Sequence, residues 1–185
     1  MKQAVYGLLI YIVLALPPVA HLLESIMIVH MHMQMPLLVF SGFLMARFLQ
    51  LKVPGFFEKW NRNGIPGVFL FIIIMVYWTI PKTMDETLTV QSAEILKFVT
   101  LPFLAGVSLR DSWKKLSGLG KNVLILIFTV KYFGMGLLYI NIPIQLCNNY
   151  LVMDQLTLGW GFLTTAICMV IYLVYVAFTD RTQYE

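Results

Sequence analysis

The chain has 185 residues, of which 59% are hydrophobic and 12% charged, with a formal net charge of +4 at pH 7. Soluble domains carry roughly 25% charged residues, so this chain has too little polar surface to coat a water-exposed globule, and a soluble enzyme or regulatory domain is excluded. A mean hydropathy of +0.81 points instead to an all-α, polytopic membrane helix bundle, the architecture in which every backbone polar group is satisfied inside its own segment.

A helix needs about 20 apolar residues to cross roughly 30 Å of hydrocarbon. Six runs approach that length, at approximately 4–19, 22–46, 65–80, 94–109, 123–143 and 156–178, and together they make one integral membrane domain over 1–185. The first begins Met1-Lys2 like a signal peptide. Pro17-Pro18-Val19-Ala20-His21 offers no small-residue cleavage site, however, and leads straight into another span, so the run reads as a retained first helix. Without a targeting peptide the chain leans towards a prokaryotic cytoplasmic membrane. The fourth run is the weakest, since Glu94 and Lys97 interrupt its start.

The basic residues alternate with these runs. Arg47, Lys52, Lys59 and Arg62 lie between the second and third, and Arg110, Lys114, Lys115 and Lys121 between the fourth and fifth, while Lys2 and Arg181 mark the two ends. The loops at 17–24, 81–93 and 141–155 contain a single lysine, Lys82. The positive-inside rule then places both termini in the cytoplasm and the basic-poor loops outside. The positive charge is accounted for by these loops and gives no argument for a nucleic-acid partner.

The polar residues gather in one apolar segment. His21, His30 and His32, all the histidines of the chain, fall in the segment 21–36, together with Glu24, Met27, Met31, Met33, Gln34 and Met35. Polar groups inside hydrocarbon are costly and usually functional. His30 and His32 are two residues apart, about 200° around an α-helix, so they point to opposite sides. One face carries His30 with Met27, Met33 and Gln34; the other carries His21, Ser25, Ile28 and His32. Pro36 cannot donate to the carbonyl of His32, and a kink just above it is expected. His30 and Gln34, four apart, make the better pair. Glu94 and Lys97 enter the membrane from the same side, so a small polar site is expected near the outer surface between the second and fourth helices.

The ligand inventory suits copper, since imidazole with thioether sulfur is a common Cu(I) environment and structural zinc asks for more His or Cys. The candidate metal ligands are His30, His32, His21, Met33, Gln34 and Glu94. Methionine is also a flexible apolar filler, so packing is the competing account of Met31, Met33 and Met35. His32 has a competing account as a helix-to-helix hydrogen bond, and His21 as an interfacial residue. Cys147 and Cys168 lack paired spacing and read as packing residues. Bis-histidine haem needs ligands facing one gap from two positions, which three clustered histidines do not offer. Glu94 and Lys97 can pair on one helix face, and Lys131, near the middle of the fifth run, needs a partner or helix-to-helix bond. Gly7, Gly42, Gly106, Gly134 and Gly136 allow close helix packing. Trp60, Trp78, Trp113 and Trp160 read as interfacial anchors.

The stretch His30-Met-His-Met-Gln-Met-Pro-Leu-Leu-Val-Phe-Ser-Gly, followed by Ile80-Pro81, Met84-Asp85, Gln91-Ser-Ala-Glu94 and Leu104-Ala-Gly-Val, resembles the CtaG-like membrane proteins linked to cytochrome c oxidase assembly. The likeness covers residues 22–113. That family typically shows a His-Met-x-x-His run and, later, a His-rich helix start. His30 matches the first histidine of the run, Gln34 stands where the second would be, and Gln91 and Glu94 occupy the region of the later histidines. The resemblance implies the fold and a place in the assembly of a copper enzyme, with most of the family's histidines replaced.

Three functions follow as expectations. The first is an accessory or assembly subunit of a membrane copper enzyme, of terminal oxidase or particulate ammonia or methane monooxygenase type, handling copper near the outer face and not itself an enzyme. The second is a metal-free structural subunit of such a complex, and the third a small transporter, disfavoured because no inverted repeat is evident. Its partners would be the lipid bilayer and the other subunits.

Overall fold

The computed structural model describes residues 2–179. Arg181 and the rest of the polar tail lie outside the described residues. Every regular element among the described residues is helical. In chain order these are α1 (Lys2–Ala15), α2 (Pro17–Glu24), α3 (Met27–Lys52), α4 (Pro54–Trp60), α5 (Ile65–Tyr77), α6 (Pro81–Thr89), α7 (Gln91–Trp113), α8 (Gly118–Asn141) and α9 (Val152–Thr179).

Four of these helices, α3, α7, α8 and α9, are long and apolar enough to cross a membrane alone. The pairs α1–α2 and α4–α5 qualify only together and are bent by 71° and 87°. The chain is thus a multi-pass helical membrane protein with four uninterrupted spans, and six if each bent pair is one span.

Proline sets the breaks. Leu16 precedes Pro17 and is extended at φ −64°, ψ 126°, because the proline ring disfavours the α conformation in the residue before it. That one residue turns α1 into α2. Ile80 before Pro81 is extended in the same way and starts α6. At the other bend Gly64 has φ +76°, a left-handed conformation that glycine adopts without a Cβ penalty, and Pro66 follows in the first turn of α5.

Two more prolines lie inside spans and distort them without breaking them. Pro36 has no N–H for the carbonyl of His32, and the helix answers with a wide π-helical turn over His30–Gln34, in which the Met35 N–H bonds to His30 O. Pro102 sits in a second such turn, Thr100–Gly106. The kink expected above Pro36 therefore takes the form of a π-turn.

The second of these turns lies where α7 crosses α3 at Val39 and Gly42, beyond the π-turn that ends at Gln34. A Cβ on Gly42 would stand 1.8 Å from Pro102 O, and one on Gly106 would stand 2.3 Å from Val39 O, so only hydrogen fits at either position. Gly7 and Gly136 serve the same end against α3 and α9. Gly134 departs from the expectation: a Cβ there would meet nothing within 4 Å. Trp78 departs too. It is 1% exposed, with its indole Nε1 donating to Thr100 Oγ1 at 2.8 Å, and is a core residue rather than an interfacial anchor.

One end of the bundle gathers Arg47, Lys52, Lys59, Arg62, Arg110, Lys114, Lys115 and Lys121 and is closed by a polar corner. Asn61 Nδ2 donates to Asp111 Oδ2 at 2.6 Å and to Ser112 Oγ at 3.0 Å, its Oδ1 accepts from Gly67 N, and Gln50 Nε2 reaches Asp111 Oδ1 at 2.8 Å. Lys115 Nζ completes it on Asp111 Oδ2 at 2.6 Å and on Asn61 O at 2.8 Å. This corner holds the 87° bend of α4–α5 against α7. The other end carries α2, α6 and the loop 142–151.

Gly42→Ala is expected to force the two backbones apart and to lower the unfolding free energy in detergent micelles by about 3 kcal/mol, the upper end for overpacking. Gly134→Ala is expected to be neutral or to add up to about 1 kcal/mol, as for glycine replaced by alanine in an unobstructed helix.

Candidate functional site

α2, α3, α7 and the loop 142–151 converge on one buried polar cluster. Lys97, on α7, is 0% exposed and its ammonium is 2.5 Å from Glu24 Oε1, a carboxylate at the end of α2 that is 5% exposed. Lys97 Nζ is also 3.2 Å from His30 Nε2. His30 Nδ1 lies 2.9 Å from the Tyr150 hydroxyl, which in turn is 2.6 Å from the backbone carbonyl of Glu24. Gln34 Nε2 donates to the same Glu24 Oε1 at 3.3 Å.

One proton arrangement satisfies all these contacts. The Tyr150 O–H donates to Glu24 O, so its oxygen accepts from His30 Nδ1–H. His30 is then neutral at Nε2, which accepts from the Lys97 ammonium. A second Lys97 proton goes to Glu24, and the ammonium also lies 4.8 Å from the centre of the Phe98 ring. Lysine, carboxylate, imidazole and phenol therefore form a closed circuit. The Gln34 Oε1 atom is left over, buried without a partner.

The loop that brings Tyr150 is held from several sides. Gln155 accepts from Leu146 N at 2.9 Å and donates to Tyr139 O at 3.3 Å, and Gln145 Nε2 donates to Tyr150 O at 2.5 Å. Asp85 on α6 accepts from Asn149 N at 3.1 Å and from Asn149 Nδ2 at 2.8 Å. The Cys147 thiol points at Pro81 O, 3.7 Å away. Burial, with the Asp85 charge added to it, pushes that thiol up to about 11. Burial, followed by the Glu24 charge, raises the Tyr150 phenol well above its usual range and keeps it a donor.

The sequence-predicted ligands are distributed as follows. His30 and Gln34 share the cluster, as their spacing of four implies. His32 faces away from it, with Nε2 2.8 Å from Thr165 Oγ1 on α9 and its ring between Tyr132 and Phe162. Thr165 donates to Gly161 O, so it accepts from His32 Nε2–H, and His32 Nδ1 is buried without a partner. His32 thus makes the helix-to-helix bond that was its competing account. Met33, expected beside His30, is 54% exposed and points outwards. His21 is exposed on α2, and Glu94 is only partly buried on the first turns of α7. The local pair of Glu94 with Lys97 is not the one formed, because Glu24 offers its carboxylate inside the bundle.

The six candidates therefore do not converge on one point, and no group of three or more His, Cys, Asp or Glu placed to hold a metal occurs among the described residues. The donors that do adjoin are His30 Nε2, Glu24 and Gln34 Oε1, and the Lys97 ammonium now holds the position between the first two. Glu24 and Lys97 stand at the level expected from the sequence but outside the expected ligand set, and Tyr150, which lies 120 residues from His30, carries no local signal. The Asn61–Asp111 corner carries none either.

No family model, curated protein or solved structure matches the chain.

Tyr150→Phe removes both contacts of the hydroxyl and leaves His30 Nδ1 and Glu24 O buried without partners. The expected loss is about 1–3 kcal/mol, read as a lowered unfolding midpoint in detergent. In a Cys168→Ser background, maleimide labelling of Cys147 at pH 7 is expected to rise as the loop loosens; an unchanged midpoint and labelling rate would refute the role given to Tyr150.

Proposed function

We propose that the chain is a non-enzymatic accessory or assembly subunit of a larger membrane complex. The observation that carries this reading is the closed circuit at Glu24, Lys97, His30 and Tyr150. A catalytic or transporting site presents polar groups that are free to meet a substrate, whereas here nearly every polar atom of the cluster is already engaged by the chain's own residues. Such a cluster fixes the relative positions of α2, α3, α7 and the loop. It leaves the broad apolar outer faces of α8 and α9 for lipid and for neighbouring helices.

The complex we propose is a membrane copper enzyme of terminal oxidase or particulate monooxygenase type, a reading supported by the CtaG-like resemblance of residues 22–113. The grouping of basic residues at one end of the bundle supports placing that end in the cytoplasm, with the Glu24–Lys97 cluster towards the outer face of a prokaryotic cytoplasmic membrane.

One observation favours copper handling as a second reading. Gln34 Oε1 is buried without a partner beside a carboxylate and an imidazole, and the position these groups surround already holds a positive charge. In this reading His30, Glu24 and Gln34 would hold copper, supplying one imidazole nitrogen and two oxygens, once Lys97 is displaced.

Gentle extraction from native membranes separates these readings. The accessory role predicts that the 21.2 kDa chain travels in a much larger assembly with a constant set of partners; a chain that runs alone at every detergent-to-protein ratio would sink it. Copper handling predicts stoichiometric copper that is lost in His30→Ala and kept in His32→Ala. Copper at background in the intact assembly would leave the metal-free accessory role.

A further inference from the structure

Lys131 is a charged residue that the polar cluster does not absorb. It stands on α8, 13 residues from Gly118 and 10 from Asn141, which at about 1.5 Å per residue places it roughly 20 Å from one end of the span and 15 Å from the other. That is close to the middle of the hydrocarbon. Among the described residues it has neither a hydrogen bond nor an ion pair. Its ammonium lies 4.8 Å from the centre of the Tyr132 ring and 5.2 Å from that of Phe128. Aromatic faces attract a cation but do not neutralise it. An ionisable group at this depth normally faces a partner of opposite charge.

Lys131 is half-buried against these rings. The neighbouring Phe128 and Tyr132 line an apolar groove of about 440 Å³ walled by α3, α5, α7, α8 and α9, with Phe40, Phe43, Phe71 and Met169 among its other residues. On the other side of Lys131, one turn along, is Gly134, where a side chain would meet nothing within 4 Å. The neighbouring Val130 is 64% exposed. Gly134 does not serve contact within the chain, although the chain's other helix-crossing glycines do. A hydrogen in place of a side chain permits another backbone to come close. The unpaired cation is thus flanked around α8 by the apolar groove on one side and the unobstructed glycine on the other.

We propose that the face of α8 around Lys131 is the docking surface for a transmembrane helix of a partner subunit that carries an Asp or Glu at mid-membrane depth. The carboxylate pairs with Lys131, the partner's apolar side chains enter the groove, and its backbone approaches at Gly134. Depth decides in favour of a helix over a lipid. The anionic headgroup of a phospholipid sits at the interface, roughly 15 Å from the midplane, whereas a spanning helix presents its carboxylate at whatever depth its sequence sets. This inference rests on the accessory-subunit reading and names the chemistry of the partner.

The test is recovery of the native complex from membranes expressing the wild-type chain, Lys131→Met, Lys131→Arg or Gly134→Leu, with the unfolding midpoint of each purified chain as a control for folding. Lys131→Met and Gly134→Leu are each expected to cut recovery about tenfold or more, the loss of one intramembrane contact of this kind, with the midpoint of the chain unchanged or raised. Lys131→Arg, which keeps the charge, is expected to retain most of the complex. Replacing one intramembrane carboxylate of the co-purified partner by its amide is expected to give the same loss, and to add nothing to Lys131→Met. Full recovery of the complex with Lys131→Met would overturn the docking surface while leaving the accessory role standing. A wild-type chain that runs alone would overturn both. Native mass spectrometry showing that Lys131→Met loses a bound fatty acid, with the protein subunits all retained, would assign the groove to an amphiphile and overturn the partner helix.

Discussion

A lysine and a glutamate buried together inside an apolar bundle constrain everything around them. Neither charge tolerates hydrocarbon alone, so α7 must place Lys97 where α2 ends at Glu24, and their 2.5 Å contact fixes both elements at once. Such a pair adds little net stability compared with apolar residues of the same size, but losing one partner strands the other. Its value lies in specificity. The carboxylate draws in Gln34 and the ammonium draws in His30, and through His30 the loop 142–151 is tied to the bundle by Tyr150. The 71° bend at Leu16 serves this arrangement by turning α2 so that Glu24 meets the start of α3.

Proline supplies the second constraint. Pro36 and Pro102 each remove a donor from a spanning helix, and both helices respond with a π-turn instead of a break. The turn at Pro102 packs at the helix crossing, on the regular part of α3 beyond its own π-turn. Gly42 lies against the carbonyl of Pro102, and Gly106 lies against the carbonyl of Val39. His30 and His32, two residues apart, keep to opposite sides of α3 through the π-turn. His30 belongs to the contact with α7 and the loop, and His32 to the contact with α9. Residues that look like one ligand run along the chain are in space two separate hydrogen-bonded groups.

What could be read from the sequence follows from which signals are local. Hydropathy over some 20 residues is local, so the spans were legible, as was the alternation of the basic residues that now sit at one end. The pairing of His30 with Gln34 was legible because it depends on helical period alone. The same period suggested Lys97 with Glu94, and there a tertiary partner won, since Glu24 lies inside the bundle and Glu94 near its rim. Tyr150 and the Asn61–Asp111 corner carry no local signature. Each is a polar residue in or beside a loop, and its partner is 50 to 120 residues away. Trp78 differs for a related reason: a tryptophan near a span end is an anchor only when its ring faces out, and Thr100 on α7 offers this one an acceptor inside the chain. The metal role expected of the histidine segment has no such physical test in the chain alone, because ligand identity depends on which groups are free, and Lys97 engages the imidazole nitrogen that would coordinate.

Glu24 and Lys97 act as one unit. A double-mutant cycle of Glu24→Gln, Lys97→Met and the two combined, with unfolding free energies measured in bicelles, tests it most directly. Each single change is expected to cost about 3–5 kcal/mol by stranding its partner, and the double variant far less than their sum, with a coupling of about 2 kcal/mol or more. Additive losses, or single variants as stable as the wild type, would contradict it.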